Sequence, residues 1–98
     1  MHSEIYRVMN EAVDLNQMRF LCLLVLLAAD VSLQFRELNR AFYFYNQARL
    51  FASYAKLYQV KIEALSQLGV IAVELRAYAE AMLLFKKALQ YAWKMRNQ

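Results

Sequence analysis

Apolar side chains recur three and four residues apart along almost the whole chain, the spacing that lines one face of an α-helix. Ile5, Val8, Met9, Ala12 and Leu15 make one such series, and polar interruptions at Asn16 and Gln17, at Gln34 to Arg36, near Leu57 to Gln59 and at Arg76 and Ala77 mark the breaks. The pattern predicts five helices, at about 2–15, 18–34, 38–56, 60–75 and 78–96. The run FLCLLVLLAA from Phe20 to Ala29 is apolar on nearly every side, as in a helix flanked by neighbours. It covers about half of the ~20 residues a membrane-spanning helix takes, so no span is expected. It also resembles a signal-sequence core behind Arg19, but the lead carries Glu4, Glu11 and Asp14 and has helical spacing of its own.

Composition supports the all-α class. The 98 residues are 61% hydrophobic with one glycine and no proline, too few turn formers for repeated hairpins of strands. Length allows a single domain. Twelve Lys and Arg against eight Asp and Glu give +4, well short of an arm built to neutralise many phosphates. Cys22 has no second cysteine to pair with, and His2 stands alone at the chain end, so neither a disulfide nor a metal site is expected. The unpaired cysteine fits a reducing compartment, and a cytoplasmic location is expected.

Comparing the chain with itself is more informative. A shift of about forty residues sets Ala41, Tyr45, Ala48, Ala52 and Ala55 opposite Ala81, Phe85, Ala88, Ala92 and Met95. A second shift sets Ile5, Val8, Ala12 and Leu15 opposite Tyr45, Ala48, Ala52 and Ala55. One helix is thus written three times, and residues 1–17 read as the second helix of a partial repeat, followed by repeats at 18–58 and 59–98. Gly69 and Ala81 have little or no side chain, so two helices can approach closely there while Leu68 and Phe85 fill the space around the contact.

Leu65, Leu68, Gly69, Ala72, Tyr78, Ala81, Phe85 and Ala88 together resemble the tetratricopeptide repeat, W-x2-L-G-x2-Y followed by A-x3-F and P. Leu65 stands at the Trp place, Ala72 at the Tyr place and Trp93 where the proline would fall. The preceding copy has Val25, Ala28 and Ala29 at the W, L and G places and Ala41, Tyr45 and Ala48 at the A, F and A places. The period is longer than the usual ~34 residues, and is similar to the long-repeat members of the family. The resemblance implies an α-solenoid of antiparallel helix pairs that acts as a protein-interaction scaffold, with the chain a piece of a longer array.

In this family the first helix of each repeat lines the concave surface. The resemblance therefore points to Leu23, Leu26, Asp30, Leu33 and Gln34 in one repeat and Glu63, Ser66, Val70, Val73 and Glu74 in the next. That mixed apolar and acidic surface suits a peptide or helical segment, above all a basic amphipathic one. The subclass that clamps a C-terminal carboxylate does not fit, because Leu26 and Asp30 stand where its Lys and Asn would be.

No nucleophile elbow, phosphate loop or metal-ligand spacing appears, so neither catalysis nor a cofactor is expected. The carboxylates read as solvated helix faces, with Glu37 and Arg40 at ordinary pairing distance. Lys86, Lys87, Lys94 and Arg96, with Tyr91 and Trp93 interleaved, have a composition that RNA binders use, but cations in a last turn also oppose the helix dipole, which is the stronger reading. Phe42 to Tyr45 surround nearly a full turn and cannot all face one neighbour. A short stack exposes apolar surface at its ends, so homo-oligomerisation or a helix swap is the alternative to the scaffold reading.

Overall fold

The computed structural model describes residues 15–97, and among these it is helical with no strand. The helices are α1 Leu15–Gln34, α2 Leu38–Ala55, α3 Tyr58–Glu74 and α4 Tyr78–Arg96. Each packs on the next, α1 on α2, α2 on α3 and α3 on α4. Junctions this short force neighbours to run antiparallel. The helix expected at 2–15 lies outside the described residues except for Leu15, which falls in α1. Asn16 and Gln17, expected to break the chain between helices, lie in the first turn of α1, and neither has the left-handed backbone found at the three junctions.

That backbone defines all three junctions. Arg36, Lys56 and Arg76 have φ of 61°, 57° and 64°. At each, the residue after the left-handed one returns its N–H to the helix just ended: Glu37 to Ser32 O, Leu57 to Ala52 O and Ala77 to Ala72 O, at 2.9, 2.8 and 2.8 Å. The carbonyls of the same three residues accept the first bonds of the next helix, from Ala41, Lys61 and Ala81. A two-residue hinge thus closes one helix and opens another, which is why no glycine- or proline-rich loop is needed. A positive φ costs a non-glycine residue about 1–2 kcal/mol, partly offset by a cation at the negative helix end. Arg76→Gly is accordingly expected to raise the unfolding free energy by about 0.5–1 kcal/mol, read by urea titration. Arg36→Gly gains less, because it also breaks a pair with Glu74.

The core follows from small residues on α2. Ala41, Tyr45 and Ala48 are fully buried against Leu26 and Ala29 of α1 and Ala64, Leu68 and Ile71 of α3. A second cluster joins Met18 and Cys22 to Phe51, Ala52 and Ala55. Of the aromatic quartet, Tyr45 is buried, Phe42 and Phe44 pack partly against the core, and Tyr43 is exposed. In α4 only Ala81 and Ala88 are buried; that side packs on α3, and among the described residues no further helix packs on the other.

Gly69 is the close-approach point that the sequence suggests. A Cβ there would lie 2.7 Å from the ring of Phe85, so the phenyl group occupies the space a side chain would need. Helix α1 is long and apolar enough to cross a bilayer by length and composition, so the shortness of the Phe20–Ala29 run does not by itself exclude a span. One face, however, packs into the core through Met18, Cys22, Leu26 and Ala29.

Candidate functional site

The face shared by α1 and α3 carries the residues expected to meet a partner, and their polar groups are partly committed to the protein itself. The Tyr45 hydroxyl donates to Asp30 Oδ1. Burial pushes the Tyr45 phenol well above its ordinary value, followed by that hydrogen bond and by the charges of Asp30 and Glu63. Arg36 forms a fork on Glu74, with Nη1 to Oε1 at 3.1 Å and Nη2 to Oε2 at 2.7 Å. This bond ties the first junction to the end of α3, thirty-eight residues on. Glu63 has no hydrogen-bond or ion-pair partner among the described residues.

The apolar members divide in the same way. Leu23, Val70 and Val73 are exposed, as are Gln34 and Glu63. Leu26 is not available to a ligand: it is buried in the core with Ala29, Ala64 and Leu68, because its side of α1 faces α2 and α3 rather than solvent. Leu33 packs partly against the same cluster, and Ser66 is half-buried. The structural positions behave as a set, with Ala41, Tyr45, Ala48, Leu68, Gly69, Ala81 and Ala88 buried and Phe85 half-buried against Gly69.

A larger apolar surface lies on the outer side of α1. Phe20, Leu24, Leu27 and Val31 are spaced four, three and four apart and line one stripe, with Phe20 62% and Leu27 59% exposed. The forty-residue shift sets Phe20, Leu24, Ala28 and Val31 opposite Val60, Ala64, Leu68 and Ile71. These are the α3 residues that pack into the cluster with Ala41, Tyr45 and Ala48 of α2. Among the described residues no helix covers this face of α1, which corresponds to the face that α3 buries against α2. At the opposite end, Met82, Leu89 and Trp93 of α4 form a stripe exposed at 74%, 71% and 66%.

Among the described residues no three His, Cys, Asp or Glu side chains converge as a metal set would. Cys22 is buried, with its Sγ 3.5 Å from Ala48 O, and burial pushes its thiol up to about 11, so it is a poor nucleophile where it lies.

The chain matches no family model, no curated protein and no solved structure. The outer stripe of α1 is the surface that sequence reasoning passed over. Its signal was present in the shift that aligns Phe20 with Val60, but the shift alone does not say which side of α3 is buried.

Proposed function

We propose that this chain is a non-catalytic, tetratricopeptide-like interaction scaffold of the cytoplasm whose outer face of α1 takes a helix of the α2 kind. A single observation carries the reading: Phe20, Leu24 and Val31 of the exposed stripe, with Ala28 beside them, are the forty-residue equivalents of Val60, Ala64, Ile71 and Leu68, which pack on α2. The occupant it fits resembles α2, a helix with alanines and one large aromatic at the spacing of Ala41, Tyr45 and Ala48. Small residues let such a helix approach, and the apolar stripe supplies the area lost to water on docking.

A synthetic peptide of residues 38–56 is the direct probe, since it carries that pattern. Fluorescence titration should show saturable binding to the whole chain, and Phe20→Lys with Leu27→Lys should weaken it at least about tenfold. These two side chains are largely exposed, so the pair of substitutions leaves the unfolding free energy within about 0.5 kcal/mol. Undiminished binding by the double variant would place the docking surface elsewhere.

The face between α1 and α3 supports a narrower role. With Asp30 and Glu74 held by Tyr45 and Arg36, a basic segment there would rely on Glu63 beside exposed Val70 and Val73. Self-association is the second reading, favoured by the exposed Met82, Leu89 and Trp93. The α4 of one copy would take the place of α2 on the α1 of the next, a head-to-tail contact that does not close on itself.

A further inference from the structure

Three helices enclose a groove whose charge is all of one sign. Arg49 on α2, Lys56 beyond its end, Lys61 on α3, and Lys87 and Lys94 on α4 line two adjoining cavities of about 320 and 210 Å³. The cavities share Lys61, Tyr91 and Lys94, and no carboxylate lines either one. The ion pairs of the described residues, Arg36 with Glu74 and Arg40 with Glu37, lie elsewhere.

Three of the cations have partners inside the protein. Lys61 Nζ donates to the Tyr91 hydroxyl at 2.7 Å and sits 4.1 Å from the centre of its ring, and Lys94 Nζ approaches the same ring at 5.5 Å. The Tyr58 and Tyr91 rings stack at 6.1 Å with 21° between their planes. Asn46 Oδ1 accepts from Arg49 Nε at 3.0 Å and Nη2 at 2.7 Å. Tyr91 senses the field: its phenol lies below the ordinary value, first through the Lys61 hydrogen bond and charge, and then through Lys94 and Lys87. Like charges gathered without counter-charge repel one another, and a ligand of opposite sign relieves that repulsion.

We propose that this groove binds a compact, phosphate-dense anion. Charges converging from three helices on a few hundred Å³ match several negative charges packed closely, whereas an acidic peptide spreads its carboxylates along an extended backbone. Four of the five cations are lysines, point charges that meet phosphate oxygens without a fixed fork geometry. Within the groove the Tyr91 ring is taken up by Tyr58, Lys61 and Lys94, which leaves it less free to stack on the bases of single-stranded RNA. A free polyphosphate and a phosphorylated inositol lipid headgroup present the same chemistry.

The test is calorimetric titration of the whole chain with inorganic tripolyphosphate at low ionic strength. Wild type should bind, with affinity falling steeply as salt is added. Lys61→Gln and Lys94→Gln should each weaken binding about tenfold. Lys86→Gln, at a residue that lines neither cavity, should change nothing. Lys94 is exposed, so its variant folds even if the Lys61 one does not. On binding, the Tyr91 ionisation, read as the phenolate absorbance difference between wild type and Tyr91→Phe, should move up in pH. Parallel runs with phosphatidylcholine vesicles with and without phosphatidylinositol bisphosphate separate the sources: capture on the phosphoinositide vesicles assigns the headgroup, and tripolyphosphate binding without capture assigns a soluble anion. No binding of tripolyphosphate, equal loss with Lys86→Gln, or tighter binding of single-stranded oligouridylate than of tripolyphosphate would overturn the proposal.

Discussion

Replacing Tyr45 with alanine is expected to remove about 3–5 kcal/mol of stability, the cost of deleting a large buried aromatic. A domain of this length has roughly 5–15 kcal/mol in total, so much of the chain's stability rests on one ring. The size of the effect follows from position. Tyr45 is fully buried between Leu26 and Ala29 on one side and Ala64 and Leu68 on the other, and alanines at 41 and 48 flank it with nothing that can swing into the hole. Tyr45→Phe keeps the ring and loses only the bond to Asp30, a cost of about 1–2 kcal/mol. Urea titration followed by helix circular dichroism separates the two.

The same residue sets an alkaline limit. Its phenol is raised in the folded protein, above an unfolded value of about 10. The unfolded chain then releases the proton first, so the contribution is complete below that pH and is lost as pH climbs toward the folded value. Cys22, raised from 9.0 to about 11, acts in the same direction and begins earlier. Tyr91 is shifted the other way but sits at the surface, where its influence is small. Stability should therefore fall above about pH 9, and Tyr45→Phe should flatten the decline above about pH 10.

Gly69→Ala tests whether small residues set the helix spacing. Alanine is favoured over glycine inside a helix by about 1 kcal/mol, so an unobstructed site would gain. Here the new methyl would meet the Phe85 ring at 2.7 Å, and the overpacking costs about 1–3 kcal/mol. The expected net is a loss of up to about 2 kcal/mol. In a Phe85→Ala background the obstruction is gone and the substitution should turn stabilising, giving a coupling of about 2 kcal/mol in the double-mutant cycle.

Helix positions were largely readable from sequence because each break carries a polar or basic group and recurs: Gln34, Phe35 and Arg36 match Glu74, Leu75 and Arg76. The left-handed residues at those breaks were not readable. Such positions favour glycine or asparagine, whereas here they hold Arg36, Lys56 and Arg76, and the single glycine lies within α3 at a helix contact. Leu26 was misplaced because α1 is apolar around most of its circumference, so periodicity alone cannot separate the side facing α3 from the side facing solvent. The cationic groove leaves no local trace, since Arg49, Lys61 and Lys94 meet only when three helices are assembled.

The most direct measurement of the central claim, that the outer face of α1 takes a helix of the α2 kind, is the thermal unfolding midpoint with and without the 38–56 peptide at several chain concentrations. A ligand that binds only the folded state raises stability in proportion to the logarithm of its concentration. The midpoint should climb with added peptide in the wild type, stay still in the Phe20→Lys, Leu27→Lys variant, and not depend on the chain's own concentration. A midpoint that ignores the peptide, or that climbs equally in the variant, contradicts the account.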